Sequence, residues 1–307
     1  MLKPETRVEE SPRIKELKFI LRRIRESPLS IAGLAIVIFF TIIAIMAPVL
    51  APPRPGRDPY MIPRYGYTPE PQPPSPEHPF GTTQGQYDLY YGVIWGTRTA
   101  YRIGILVVFV SALIGILIGG VAGYYKGVVD EVLMRITDVM LAFPSLILAM
   151  ALVVAFGPGI DSITLALILV GWPTYARLIR GEFLRLTAED FVEAAKAIGC
   201  SDVRIIFRHV LPNAIYPLLV VASLDIGSIV LIAAALSFLG LGAPEGYADW
   251  GQLISFSRNW IIGTAQNPFA YWHVYTIPGL FLFLFVMGWN LLGDALRDIL
   301  DPMIRRR

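Results

Sequence analysis

Six stretches of the chain, near residues 31–51, 103–124, 137–156, 161–177, 214–240 and 274–293, are apolar over the length that a bilayer demands. A helix rises 1.5 Å per residue, so about 20 apolar residues cross roughly 30 Å of hydrocarbon. Inside that solvent every backbone N–H and C=O must be paired within the protein, and helices achieve this within a single segment. The composition agrees, with 55% hydrophobic residues, 16% charged residues and a mean hydropathy of +0.57, far from the balance of a soluble domain. The expected fold class is an all-α polytopic membrane protein with six transmembrane helices.

Basic residues set the orientation. With the amino terminus inside, 20 of the 26 Lys and Arg residues fall in cytoplasmic segments, as the positive-inside rule requires, so both termini are expected in the cytoplasm. Residues 1–28 hold a helix start at Ser11-Pro12 and an apolar stripe at Ile14, Leu17, Leu21 and Ile24, which predicts a short amphipathic helix on the membrane surface. The span at 29–51 has a longer polar leader and a longer apolar core than a signal peptide, and is read as uncleaved. Eleven prolines between 52 and 80 remove backbone donors and predict an exposed linker or loop within an extracytoplasmic segment, 52–98. A five-helix core over 99–296 follows, with Gly157-Pro158-Gly159 separating its second and third helices, and a basic tail covers 297–307.

Several chemistries are excluded or weak. A net charge of +2 with scattered basic residues does not suit a nucleic-acid surface. Cys200 is the only cysteine, and His78, His209 and His273 are far apart, so neither a disulfide nor a metal site is expected. No G-x-x-x-x-G-K-[ST] loop, H-E-x-x-H helix or G-x-S-x-G elbow occurs, so no cofactor is expected in this chain and no enzymatic chemistry.

Within the spans, Gly115, Gly119 and Gly123 share one helix face and predict close packing of a neighbouring helix, inside the chain or at a subunit interface. Pro144 and Pro173 are expected to kink or interrupt their helices. Asp225 falls near the middle of the fifth span, where a charge is costly unless it faces water or a partner; it either lines a translocation path or is a protonated or hydrogen-bonded packing residue. Asn290 is open to the same two readings. Arg135 and Asp138, three apart, read as a local ion pair. Trp250, Trp260 and Trp272 read as interface anchors in an outer loop.

One polar stretch interrupts the apolar sequence. Thr187-Ala188-Glu189-Asp190 has the form of a helix start, and Phe191, Ala194, Ala195 and Ile198 then share a face. Gly199 ends that helix and Ser201 caps a second, with a stripe at Val203, Ile206, Phe207 and Val210 that Pro212 is expected to limit. Such a pair suits a docking plug, an interfacial helix pair, a structural linker or, against the geometry of its membrane tethers, a DNA-reading helix-turn-helix.

Glu193-Ala194-Ala195, Gly199 and Leu211-Pro212 resemble the EAA loop of ATP-binding-cassette importer permeases, with His209 where the general pattern has Ile. His-x-Leu-Pro-Asn at 209–213 is similar to the version in the peptide/nickel-type branch. Residues 78–98, 130–149 (DEVLMRITDVMLAFPSLILA), 235–242 (ALSFLGLG) and 291–302 (LLGDALRDILDP) resemble the second permease subunit of those systems. Thr83, Tyr87 and Ala233 depart from the usual Asp, Arg and Glu. The resemblance implies a type I importer fold in which residues 187–211 are a cytoplasmic pair of coupling helices, Glu193 supplying a charged contact, Ala194 and Ala195 close approach, and Gly199 the turn. It also implies the partners: a second homologous permease, two ATPase subunits that bind ATP and Mg, and an extracytoplasmic substrate-binding protein. Peptides are the implied cargo, with oligosaccharides or nickel as alternatives, and a secondary transporter is the reading from another class.

Overall fold

The computed structural model describes Arg25 and residues 27–300. The amphipathic stripe expected before residue 25 and the last seven residues lie outside the described residues. In chain order the helices are α1 (Pro28–Leu50), α2 (Leu89–Tyr125), α3 (Gly127–Leu141), α4 (Ser145–Phe156), α5 (Ile160–Leu186), α6 (Asp190–Ala197), α7 (Asp202–Ile205), α8 (Leu211–Phe238), α9 (Trp250–Ser255) and α10 (Trp272–Leu300). A π-helical turn, Ile206–Val210, joins α7 to α8, and the described residues contain isolated bridges but no strand.

Five of these segments are long and apolar enough to cross a membrane, α7 to α8 counting as one; the α3–α4 pair makes a sixth if taken together. That pair contains the interruption expected at Pro144 within the apolar stretch 137–156. Helices α3 and α4 meet at 87°, with Pro144 at the amino-terminal cap of α4. A residue before proline is pushed out of the helical region, so the chain turns at Phe143-Pro144. Pro173, by contrast, lies inside an unbroken α5, and Pro212 does not end its helix. The π turn just before Pro212 already displaces the hydrogen-bond ladder, and the Asn213 side chain donates to the His209 carbonyl at 2.7 Å.

Helix α2 begins at Leu89, well before the apolar run that announced it, because Asp88 caps it by accepting from the Tyr91 backbone N–H at 2.7 Å. Its 37 residues measure about 55 Å, so one end projects beyond the hydrocarbon. That end is buried in a cap built from residues 51–88 and 241–271. Ile62, Trp95, Trp250 and Phe285 share its core with Phe40 of α1. The proline-rich segment is therefore a packed structural element as well as a loop: Ala248 N–H donates to the Tyr60 carbonyl at 2.7 Å and Ile62 N–H to the Gly246 carbonyl at 2.8 Å. Two of the three tryptophans read as interface anchors belong to this cap. Trp250 is buried and donates to the Val93 carbonyl, and Trp260 donates to Gln84 Oε1; Trp272 is exposed.

Helices α2 and α5 form the most extensive pair. The glycine face does what its spacing predicts, inside the chain. A Cβ on Gly115 would lie 2.8 Å from the Ala176 nitrogen, and one on Gly123 would lie 2.7 Å from the Arg180 carbonyl oxygen.

Candidate functional site

The polar stretch folds as a peg between two spans. Helix α5 runs to Leu186, and the Thr187 hydroxyl donates back to the Leu184 carbonyl, so Glu189, not Thr187, is the cap position of α6. The helix closes on Gly199 at φ +80°: Gly199 N–H donates to the Lys196 carbonyl and Cys200 N–H to the Ala195 carbonyl. That hydrogen-bond pattern satisfies the last carbonyls of the helix and needs a left-handed residue. Ser201 occupies the cap position of α7 without a side-chain capping bond.

The expected apolar faces are corrected in detail. Only Ala195 of the first stripe is buried, together with Val192, and these pack with Ile205, Val210, Phe183 and Leu186. An eight-residue helix seated by two positions three apart leaves its remaining apolar side chains outside. Phe191, Ile198 (81% exposed), Val203 and Phe207 (63% exposed) form this outer surface. Glu193, Ala194 and Pro212 are exposed beside it and Leu211 is half-buried. The peg is fastened to the end of α2, where Lys196 Nζ lies 5.8 Å from the Tyr124 ring centroid and the Tyr124 hydroxyl donates to Asp202 at 2.6 Å.

Asp225 sits in α8 and accepts from the Tyr175 hydroxyl of α5 at 2.7 Å. Both line a cavity of about 160 Å³ that also receives Ser111, Ser145, Thr174 and Ser228. The structure thus brings Asp225 into a largely apolar chamber between α2, α4, α5 and α8 that holds a few hydroxyl groups. Asn290, half-buried on α10, is not among the residues lining it.

Sequence reasoning missed the ion pairs that join α3 to α5. Asp138 pairs with Arg177 at 2.6 Å, not with Arg135, which is exposed. Asp130 takes Arg180 through two bonds, at 3.0 and 2.6 Å. Arg177 and Arg180 stand one turn apart on α5 and meet acids about two turns apart on α3. The spacing on each helix is visible in the sequence; the pairing between helices about 40 residues apart is not.

The fold and the tethered peg define a multi-pass membrane protein of the transport-permease class. Residues 115–306 match the family described as binding-protein-dependent transport system inner membrane component, and residues 17–74 match the N-terminal TM domain of oligopeptide transport permease C. The chain belongs to this family of inner-membrane transport components. It is 39% identical to the dipeptide transport system permease protein DppC of Alkalihalophilus pseudofirmus, over 92% of this chain and 89% of that protein. It is 38% identical to the probable D,D-dipeptide transport system permease protein DdpC of Escherichia coli, over 91% and 89%. It is 37% identical to an Escherichia coli glutathione transport system permease protein GsiD, over 92% and 89%. Among solved structures, an inward-facing form of the MetNI methionine ABC transporter superposes with a TM-score of 0.54 at 19% identity, covering 68% of this chain and 96% of that one. That likeness supports the type I importer permease fold.

Proposed function

We propose that this chain forms half of the translocation pathway of an ATP-driven importer for di- and oligopeptides, paired with a second, homologous permease and with both termini cytoplasmic. Two ATPase subunits bind ATP and Mg and grip the α6–α7 peg, while an extracytoplasmic binding protein delivers cargo to the side that carries the cap. Residues 99–296 act as the transport core. The observation that carries this reading is the peg itself, a short helix pair with outward-facing apolar side chains, joined to α5 on one side and to α8 on the other. The peptide assignment follows the relatives named above.

The peg is tested in the assembled complex. Phe207→Asp places a charge in the apolar contact, and Glu193→Lys reverses the charge at its rim. A hot-spot truncation costs about 2 kcal/mol or more, so Phe207→Asp is expected to reduce substrate-stimulated ATP hydrolysis by roughly thirtyfold. Glu193→Lys is expected to reduce it by about tenfold, the equivalent of ~1.4 kcal/mol. Unchanged stimulation and transport in both variants would reject the docking role.

The chamber is proposed as part of the path, with Asp225 lining it. Asp225→Asn keeps the size and an oxygen to accept the Tyr175 hydrogen bond but cannot ionise. Peptide uptake into proteoliposomes is expected to fall about tenfold with complex assembly intact, a loss of ~1.4 kcal/mol. Uptake equal to wild type assigns Asp225 to packing.

A further inference from the structure

The cap contains a second cavity, of about 290 Å³, lined by Arg64, Tyr67, Gln84, Glu245 and Phe256 among others. It lies in the loops at the amino-terminal end of α2, whereas the Asp225 chamber lies within the membrane-spanning helices. Its chemistry is unusual for a surface recess.

Arg64 is held in place by groups that leave its working end free. Its Nε donates to the Gly66 carbonyl at 3.0 Å and to the Gly85 carbonyl at 2.6 Å. The guanidinium carbon stands 4.4 Å from the Tyr67 ring centroid and 5.0 Å from that of Tyr87. The terminal nitrogens form no hydrogen bond or ion pair among the described residues. A guanidinium fork of this kind matches the two oxygens of a carboxylate.

Glu245 lines the same recess with the opposite charge. One of its oxygens accepts from the Tyr87 hydroxyl at 3.1 Å. Burial, and then the bond to Glu245, push the Tyr87 hydroxyl above the usual tyrosine range, which keeps it a donor to that carboxylate. Glu245 is exposed and has no cationic partner among the described residues. The Tyr87 ring, stacked on Phe256 at a centroid distance of 5.5 Å, therefore carries a cation at its face and an anion at its hydroxyl. Arg64 and Glu245 are not paired with each other, although they share one cavity.

Two opposite charges in one recess, each with open hydrogen-bonding capacity and with the aromatic side chains of Tyr67 and Phe256 beside them in the lining, are complementary to a molecule that carries both charges itself. The volume is at the small end of ligand pockets, and corresponds to about ten waters. We propose that this cavity is a receiving subsite for a short zwitterionic peptide, its α-carboxylate on Arg64 and its α-ammonium on Glu245. The inference rests on the reading of the chain as a peptide-importer permease and adds a place where cargo touches this subunit before the membrane path.

The probe is 13C-labelled Ala-Ala, titrated by NMR into the complete permease–ATPase complex in lipid nanodiscs without the binding protein. The wild-type complex is expected to bind it, with Kd rising at least tenfold in Arg64→Gln and in Glu245→Gln. Ala-Ala amide should bind the wild type as weakly as Ala-Ala binds Arg64→Gln, with no further loss when the two changes are combined. N-acetyl-Ala-Ala should stand in the same relation to Glu245→Gln. Arg64 also fastens two loop segments, so the exposed Glu245→Gln variant and the capped peptides on wild type keep the test decisive if Arg64→Gln fails to assemble. Absence of wild-type binding, equal binding of capped peptides, or binding indifferent to both variants overturns the subsite. So does weakened attachment of the binding protein with Ala-Ala binding unchanged, which would make the recess a protein contact. Peptide uptake by the wild-type complex with its binding protein is measured in parallel: uptake without Arg64- and Glu245-dependent binding removes the subsite and leaves the importer reading, whereas absence of peptide uptake removes that reading itself.

Discussion

Gly119→Val is expected to lower the yield of detergent-stable chain at least tenfold. A Cβ at this position falls on the carbonyl oxygen of Ala176 in α5, with the Ala176 carbonyl carbon at 2.9 Å and its Cα at 3.0 Å. These are backbone atoms, which cannot rotate aside as the end of a side chain can. The two helices must separate, and separation at Gly119 also opens the contacts at Gly115 and Gly123 along the same face. Overpacking of a tight core costs about 1–3 kcal/mol and occasionally more. Between helices already surrounded by lipid, van der Waals contact is a principal source of association, so little else compensates. Gly181 provides the control. It lies on α5 with no neighbouring atom within 4 Å of where an added Cβ would stand, so Gly181→Ala should be tolerated or stabilising by up to ~1 kcal/mol. Size-exclusion profiles and thermal unfolding of the purified complexes distinguish the two; a Gly119→Val protein as stable as wild type would refute the close-packing account.

The same glycines show what a sequence discloses. Their spacing of four residues is a local, periodic signal, and helix geometry converts it directly into a shared face. The closing turn at Gly199 was legible for the same reason, since a short helix ending at glycine has few ways to satisfy its last carbonyls. The apolar runs located the spans because the bilayer sets their length. The bend at Pro144 was half-visible: a proline marks a possible break, but Pro173 and Pro212 stand in continuous helix, so the neighbours decide the outcome. The start of α2 was hidden because Arg98, Arg102 and the tyrosines between 87 and 101 dilute its hydropathy, although the tyrosines pack in or against the core of the cap. In the peg, periodicity identified amphipathic helices but not which apolar residues turn inward. Phe191 and Ile198 look like core residues by type and face outward in the chain, where a partner surface can cover them. Tyr175, Asp130 and Arg180 became site residues only through contacts about 50 positions away in sequence, which no local pattern encodes.

Asp130→Asn is expected to reduce peptide uptake tenfold or more while ATP hydrolysis continues, because the Asp130–Arg180 pair joins the two moving parts of the proposed mechanism. Arg180 lies on α5, six residues before the carboxyl end of the helix that leads into the peg, and its two bonds to Asp130 fix both the distance and the rotation of α3. Helix α3 continues through the Pro144 bend into α4, whose first residue, Ser145, lines the Asp225 chamber. In the proposed mechanism a displacement of the peg along α5 is passed to the chamber through this clasp. Asp130 is the more enclosed partner, its side chain only 15% exposed, whereas the outer pair Arg177–Asp138 is about half-exposed on both sides. Charge-assisted hydrogen bonds contribute about 1.5–3 kcal/mol each, against at most ~1 kcal/mol for an exposed pair. Arg177→Ala should consequently cost much less than Asp130→Asn. The exchange Asp130→Arg with Arg180→Asp restores the pair in reverse and should recover a substantial part of the lost uptake, whereas each reversal alone should be worse than Asn. Uptake per ATP hydrolysed, measured in proteoliposomes on matched amounts of assembled complex, reads the coupling apart from folding. If both quantities fall together in Asp130→Asn, or if the exchange rescues stability without rescuing uptake, the clasp holds the bundle together without transmitting motion.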